Sequence, residues 1–142
     1  MKVFVDANIL ITVVNKEYPL YPLTSRILSR NGIGNIHMLT SPVCLAIAFY
    51  FAEKRYEAEF AKKKLQILAA NIGIAPTNAD AVRSAFSDPA VKDVEDGMQY
   101  YSALQAGCTC ILTEDKADFY FANMTVLNAE EFFEQHMAPT RR

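Results

Sequence analysis

Short apolar runs of β-prone residues alternate along the chain with longer segments of helical character. Five such runs are visible: Lys2 to Val5, Ile36 to Leu39, Ile72 to Ala75, Cys110 to Leu112 and Thr125 to Leu127. Their branched and aromatic side chains are typical of strands. Because strands that alternate with helices usually join into a parallel sheet, the pattern predicts an α/β domain with about five parallel strands.

The segments between these runs carry helix signals. Thr77 precedes Asp80, and Asn128 precedes Glu131, by the three positions that place a capping side chain before an acid at a helix start. The segment from Ser41 to Ala52 is apolar on nearly every side. Such a composition predicts a helix that is packed in the middle of the domain.

Length and composition favour one globular domain. A chain of 142 residues has the usual size of a domain, and a domain of about 150 residues buries roughly 68–70% of its unfolded surface. Hydrophobic residues make up 51% of the chain and charged residues 21%, which excludes the signature of disorder. We therefore predict a single domain over residues 1–142, with the last few residues forming a disordered tail.

No segment has the signature of a membrane span or a secretory signal. The longest apolar run, Val43 to Ala52, has ten residues, whereas a bilayer span takes roughly 20. Asp6 interrupts the first apolar run, which a signal peptide would leave intact. We expect a cytoplasmic protein without membrane contact.

Charge and cysteine content add little about partners. A formal net charge of −2 supplies no global attraction to nucleic acid, so RNA binding would need a local basic patch or bound cations. Cys44, Cys108 and Cys110 lack the second ligand pair of a zinc site and are expected in the core.

Acidic residues stand where two strands of the predicted sheet end. Asp6 directly follows the first strand, and Asp115 comes just after the strand that ends at Leu112. Asp93 and Asp96 open the helix that leads into this second strand, so the helix N-terminus points to the same edge. In open parallel sheets ligands bind beyond the carboxyl ends of the strands, and this edge is therefore the candidate site.

Each acid also has a structural interpretation. Asp93 is a natural N-cap with Asp96 at the third helical position, and Asp118 could start a short helix after Asp115. Carboxylates that lie within a few ångströms raise one another's pKa unless a cation neutralises them. Mg²⁺ or Mn²⁺ prefers such oxygen ligands, and the chemistry that fits is hydrolysis of a phosphodiester bond.

Three segments resemble the motifs of the PIN-domain family, the fold of the nucleases in bacterial toxin–antitoxin pairs. They are Val-Phe-Val-Asp6-Ala-Asn8-Ile-Leu, Asp93-Val-Glu-Asp96-Gly-Met-Gln-Tyr and Leu112-Thr-Glu-Asp115-Lys-Ala-Asp118-Phe. The likeness covers nearly the whole chain. It implies a three-layer α/β domain and a metal-dependent endoribonuclease, with RNA as substrate and with an antitoxin protein and a homodimer as expected partners.

The resemblance also implies roles for individual residues. The metal-binding and catalytic residues would be Asp6, Asp96 and Asp115. Further acids at the metal would be Asp93 and Asp118, and supporting residues would be Asn8 and Thr113. The basic residues Lys54, Arg55 and Lys62 to Lys64 either bind the RNA backbone or form a solvated helix face.

One position departs from the family pattern. Many active members carry a further acid early in the helix after the second strand, where this chain has Ile47. Glu53 cannot replace this acid, because it comes six residues after Ile47. That separation places it roughly 9 Å farther along a helix axis and rotates it by about 240° to another face. This departure leaves open a second hypothesis, a weakly active or inactive PIN-like protein that binds RNA or another protein.

A third hypothesis, a phosphoreceiver domain, also places acids at strand ends. Such a domain normally has paired acids after its first strand and a phosphoacceptor after its third. The third candidate strand here ends in Pro76-Thr-Asn, without an acid. The sequence has no Gly-x-Ser-x-Gly elbow and no phosphate-binding Gly-rich loop, and the two histidines, His37 and His136, form no recognised metal motif.

Overall fold

The computed structural model describes residues 1–138, and the predicted disordered tail lies outside them. Its centre is a parallel sheet of five strands in the order β3-β2-β1-β4-β5. The strands are β1 (Lys2–Val5), β2 (His37–Thr40), β3 (Gly73–Ile74), β4 (Cys110–Leu112) and β5 (Thr125–Leu127). The prediction of a parallel sheet of about five strands is confirmed, with β3 shorter than its apolar run.

The helices follow the strands in α/β alternation. They are α1 (Ala7–Val14), α2 (Tyr21–Leu28), α3 (Pro42–Arg55), α4 (Ala58–Ala70), α5 (Ala79–Ser87), α6 (Val94–Gln105) and α7 (Ala129–His136), with a short 3₁₀ helix at Lys116–Phe119. The chain order reverses between β3 and β4, so right-handed crossovers put α1 to α4 on one face and α5 with α6 on the other. The sheet is therefore the middle of three layers.

The strands β1 and β4 lie at the centre of the sheet and are covered on both faces. Val3, Phe4 and Val5 are completely buried, as are Ile111 and Leu112. A strand that is buried on both faces needs an unbroken apolar run, which is the pattern that the sequence shows here. The sheet edge beyond Val5 and Leu112 therefore adjoins completely buried residues of both strands.

The predicted helix starts are correct at one position and wrong at the other. Asn128 and Glu131 form a reciprocal capping box at the start of α7. At α5 the capping side chain is Asn78, which accepts a hydrogen bond from the Ala81 amide, and Thr77 lies one residue too early. Asn and Thr both cap helices, so local sequence alone did not separate these neighbours.

The prediction that the helix from Ser41 to Ala52 is packed in the middle of the domain is wrong. Cys44, Ala48 and Ala52 of α3 are buried, but Tyr50 is 54% exposed and Phe51 is 42% exposed. The opposite face of α3 packs against α1 and α4. The helix is apolar on nearly every side, and yet it exposes two aromatic rings to solvent.

Two further sequence expectations concern cysteines and membranes. Cys44, Cys108 and Cys110 are buried and free, as predicted. Over residues 1–138, no helix has the length and apolar character that crossing a bilayer requires.

Candidate metal and active site

Asp6 occupies the position where β1 turns into α1. Its backbone amide extends the pairing with β4 by donating to the Leu112 carbonyl at 3.0 Å. Its carboxylate caps α1 through Oδ1, which accepts the Ala7 amide at 2.8 Å, and Oδ2 accepts the Thr113 hydroxyl at 2.8 Å. Only 9% of this residue is exposed, so these hydrogen bonds hold a nearly buried carboxylate in one orientation.

Asn8 joins the ends of β1 and β4 through its side-chain amide. The amide nitrogen Nδ2 donates to Asp6 Oδ2 and to Asp115 Oδ2, each at 3.2 Å, and to Thr113 Oγ1 at 3.0 Å. Its oxygen Oδ1 accepts the Glu114 amide at 3.1 Å. Two carboxylates on different elements are thus tied to the same amide group, which fixes their relative position.

Thr113 completes this network from the β4 side. Its hydroxyl donates to Asp6 and accepts both the Asn8 amide and, at 3.1 Å, the backbone amide of Asp115. Thr113 is completely buried. The two residues that the sequence singled out as supporting residues, Asn8 and Thr113, therefore both contact the carboxylate of Asp6.

A cavity of about 300 Å³, called the acid cavity below, collects the acidic side chains. Its acidic lining residues are Asp6, Asp93, Glu95, Asp96, Asp115 and Asp118, beside Asn8, Ala7 and the apolar Ile11, Ile47 and Phe51. The N-terminus of α6 contributes three of these acids, and Asp93 also caps that helix by accepting the Glu95 amide at 2.9 Å. Every acid that the sequence proposed at the sheet edge lines this one cavity.

Glu95 is the acid that the sequence interpretation left out. It lies between Asp93 and Asp96 in the central acidic motif, and it lines the acid cavity. Burial and the charges of Asp93 and Asp6 raise its pKa. Its place in the motif was the available signal, but helical geometry had to decide whether it faces the cavity.

Burial and mutual repulsion disfavour ionised acids in this cavity. The pKa of Asp96 is raised to about 7 by burial, and next by the charges of Asp93, Asp118 and Asp6. Burial also raises the pKa of Asp6, with a contribution from Asp115, although the hydrogen bonds from Thr113 and Ala7 act in the opposite direction. The sequence prediction that neighbouring carboxylates raise one another's pKa is confirmed for these residues.

The donor set fits a hard divalent cation. Among the described residues that line the acid cavity there is no Lys, Arg or His. Within residues 1–138 no three His, Cys, Asp or Glu side chains stand close enough together to hold a metal ion by themselves. Mg²⁺ typically takes one or two protein carboxylates and completes its coordination with water and phosphate, so an open set of oxygen ligands is what it requires.

Most of the chain matches a known protein family. Residues 2–117 match the family model described as a PIN domain. The chain belongs to the PIN-domain family. The matched range includes all three motifs up to Asp115 and ends one residue before Asp118. The phosphoreceiver hypothesis is thereby excluded.

Known proteins similar to this PIN domain include a curated ribonuclease. Ribonuclease VapC1 of Aquifex aeolicus (strain VF5) is 32% identical over 143 residues, which cover 94% of both chains. VapBC2 from Rickettsia felis, solved bound to a DNA fragment from its promoter, aligns with TM-score 0.68 and 18% identity over 90% of this chain and 98% of that one. A toxin–antitoxin complex from Klebsiella pneumoniae aligns with TM-score 0.69 and 14% identity over 89% and 97%. The two solved structures establish the fold alone.

The position of the missing acid borders the acid cavity of this PIN domain. Ile47 on α3 lines the cavity, as the resemblance to PIN domains predicts. One turn earlier, the Cys44 thiol lies 3.8 Å from Asp6 Oδ1. Burial and the charge of Asp6 raise the pKa of Cys44 to about 12, so this group is a neutral thiol and adds no anionic ligand.

The basic residues that the sequence proposed for RNA binding stand outside the acid cavity. Lys54 lies over the Tyr50 ring, at 4.3 Å from its centroid, on the stretch of α3 next to the cavity. Arg55 lies over Tyr56, and Lys62 is exposed on α4. Lys64 donates to the carbonyl of Val14 at 3.1 Å and so stabilises the end of α1. Lys54 also lies 5.5 Å from the ring centroid of Phe51, a residue that lines the acid cavity.

A second, larger cavity is unsuited to the chemistry. It has a volume of about 500 Å³ and lies between α1, α2 and α4, where Lys64 is its charged lining residue among side chains such as Val14, Leu28 and Ile67. None of the acids that line the acid cavity contributes to it. We therefore assign the candidate chemistry to the smaller cavity.

Proposed function

We propose that this PIN domain is a metal-dependent endoribonuclease that hydrolyses phosphodiester bonds of RNA with Mg²⁺ or Mn²⁺. The observation that carries the proposal is the convergence of Asp6, Asp96 and Asp115 on one cavity with no basic side chain in its described lining. The similarity to a curated ribonuclease over 94% of the chain supports RNA as the substrate. Ribonucleases of this family are generally dependent on a divalent metal ion.

In this proposal Asp6, Asp96 and Asp115 bind the metal, with Asp93 and Asp118 as further acids at its periphery. When bound, a divalent ion lowers the pKa of a water and stabilises the charge that develops on the scissile phosphate. Positioning of the ligands falls to other residues of the chain.

Asn8 and Thr113 have that positioning role. The Asn8 amide fixes the distance between Asp6 and Asp115, and the Thr113 hydroxyl directs the second oxygen of Asp6. Outer partners of this kind orient metal ligands, and their loss typically costs 10- to 100-fold in metal affinity or activity.

We further propose that the protein is the toxin of a toxin–antitoxin pair and binds an antitoxin protein. Two proteins of the same fold were solved as toxin–antitoxin assemblies, one of them on promoter DNA. Those two proteins are 18% and 14% identical to this chain and share its fold.

Removal of metal is the test of the nuclease. Purified protein incubated with a labelled circular single-stranded RNA and with total bacterial RNA is expected to cleave in Mn²⁺ and to stop in EDTA. Cleavage should return when Mn²⁺ is added in excess of the chelator. Opening of the circle, read on a denaturing gel, identifies an internal cut. Cleavage that persists in EDTA would contradict the metal-dependent mechanism.

A second candidate function has one observation in its favour. Ile47 lines the acid cavity at the position where the resemblance to PIN domains implies an acid. A PIN domain with a weakened metal site would bind RNA or a protein without turnover. Metal binding by calorimetry, combined with absence of cleavage in both Mn²⁺ and Mg²⁺, would favour this function over the nuclease.

Restoring the acid separates these two functions. Ile47→Glu is expected to tighten Mn²⁺ binding about tenfold, because it adds a carboxylate to a cavity whose ligands already attract cations. The same change should raise cleavage if the native site is an attenuated nuclease. The measurement is isothermal titration with Mn²⁺, followed by the cleavage assay.

Ile67→Glu is the matched control for that experiment. Ile67 is 66% exposed on α4 and lines the larger cavity instead of the acid cavity. The control should leave Mn²⁺ affinity unchanged. Equal affinity in wild type and Ile47→Glu would show that the side chain at position 47 is not directed at the metal.

A further inference from the structure

One face of α3 carries an apolar and aromatic stripe that leads away from the acid cavity. Ile47, Tyr50, Phe51 and Lys54 are separated by three, four and seven positions, so they lie along one side of the helix. Tyr50 is 54% exposed and Phe51 is 42% exposed. Two adjacent exposed aromatic rings beside a candidate active site mark a surface suited to binding.

This stripe is continuous with the acid cavity. A neighbouring apolar cavity of about 430 Å³ is lined by Val43, Ala46, Ile47, Tyr50, Phe51 and Glu95. The two cavities share Ile47, Phe51 and Glu95. A molecule that reaches the acids from this side therefore passes directly over the aromatic rings.

A positive charge lies over the same rings. The Lys54 ammonium group is 4.3 Å from the Tyr50 ring centroid and 5.5 Å from that of Phe51. The two rings meet edge to face, with centroids 5.4 Å apart and an interplanar angle of 85°. The surface thus combines an aromatic platform with a cation at the end that is farther from the acids.

We propose that Tyr50 and Phe51 form a base-binding subsite, which takes an unpaired base next to the phosphate in the acid cavity. Lys54 binds a flanking phosphate of the same strand. Nucleobases stack on aromatic side chains whatever their identity, and lysines neutralise the backbone, so this combination is typical of single-strand binding. The inference rests on the proposed ribonuclease function and adds the residues that hold the substrate.

The charge favours RNA over a protein surface as the occupant. Lysine is depleted in protein–protein interfaces, and covering Lys54 with an apolar partner would remove its charge from water without a counterion. A phosphate supplies that counterion. Ile47 fits the same interpretation, because it lines both cavities and continues the apolar surface from the two rings to the acids.

The experiment compares binding of RNA with and without bases. Fluorescence anisotropy is measured with a labelled eight-nucleotide uridine RNA, and with the same backbone made abasic, in Ca²⁺ with RNA integrity checked on a gel. Tyr50→Leu/Phe51→Leu is expected to weaken binding of the uridine RNA about 10- to 100-fold and to leave binding of the abasic RNA unchanged. Lys54→Gln should lower the slope of log Kd against log salt concentration by about 0.7 for both RNAs, because one phosphate contact is lost.

Phe86→Leu is the matched control, because Phe86 is an aromatic residue on α5 that is 70% exposed and lines neither cavity. It should bind both RNAs as wild type does. If the double variant fails to fold by circular dichroism, Tyr50→Leu alone, at the more exposed ring, provides the same comparison with a smaller effect.

Other results would overturn the subsite. Wild-type affinity of the leucine variant for the uridine RNA would exclude base stacking at these rings. A wild-type dimer by light scattering that becomes a monomer in the variant would identify a second copy of the chain as the occupant. Failure of the proposed nuclease function would give a different result from failure of the subsite. In that case RNA would bind through the aromatic residues but would not be cleaved in Mn²⁺ or Mg²⁺.

Discussion

Replacing Asp6 by asparagine is expected to lower the rate of Mn²⁺-dependent RNA cleavage by at least about 100-fold while the fold persists. Loss of an outer partner of a metal site already costs 10- to 100-fold, and a direct ligand contributes more. Asparagine is as good a helix cap as aspartate, so α1 retains its start. Initial rates at saturating Mn²⁺, with circular dichroism of both proteins, provide the measurement.

Asp80→Asn is the charge-matched control for this variant. Asp80 is an exposed acid in the first turn of α5 and does not line the acid cavity. Its replacement removes the same charge without touching the site, and the cleavage rate should remain that of the wild type. A wild-type rate in Asp6→Asn would instead remove this residue from the metal site and with it the central argument for the nuclease.

Mn²⁺ is expected to raise the melting temperature of the wild type by about 10 °C at 100 times its Kd, and that of Asp96→Asn much less. A ligand that binds only the folded form contributes about 2.7 kcal/mol at this concentration, and 1 kcal/mol corresponds to roughly 3–4 °C in a domain of this size. The variant lacks one carboxylate ligand and should bind the ion more weakly. Thermal scans with increasing Mn²⁺ measure both shifts, and equal shifts would count against Asp96 as a ligand.

The same variant is expected to be more stable than the wild type without metal above pH 7. The pKa of Asp96 in the folded protein is about 7, well above its ordinary value of 3.8. Between these values the folded state binds more protons than the unfolded state, so stability falls as the pH rises through this window. Asparagine removes the contribution of Asp96 to this pH dependence of stability. Asp6 and Glu95, whose pKa values are also raised, still make the stability fall with rising pH, but less steeply.

Melting temperatures in EDTA from pH 5 to pH 8 test this dependence. The wild-type curve should fall with rising pH, and that of Asp96→Asn should be flatter and cross above it. Metal affinity should change in the opposite sense, because protons compete with the ion and its binding weakens as the pH falls below about 7. Parallel curves for the two proteins would mean that Asp96 is ordinarily solvated and separate from the acid cluster.

Much of the fold could be predicted from the amino-acid sequence, because the patterns that indicate strands and helices are local. The five apolar runs identify the five strands, and a strand that is covered on both faces must be apolar without interruption. Asp6 and Asp115 follow two such runs, and parallel strands bring their carboxyl ends to one edge. That the acids face one cavity followed from these two facts and from the direction of the helix that begins at Val94.

Other features depended on which elements meet in space. The Asn8 amide reaches Asp115 across 107 positions of the chain, and no local pattern encodes that contact. Glu95 lines the acid cavity through the orientation of α6, and Lys64 donates to the Val14 carbonyl at the end of α1.

The exposed face of α3 is the clearest difference between what the sequence predicts and what the tertiary structure shows. The sequence by itself determined the strands, the strand-end acids and the resemblance to PIN domains, because each of these features depends on a short segment of consecutive residues. The apolar composition of α3 predicted a helix packed in the middle of the domain, yet Tyr50 and Phe51 are exposed. Only the tertiary structure decided this, because α1 and α4 cover one side of the helix and the remaining side opens beside the acids.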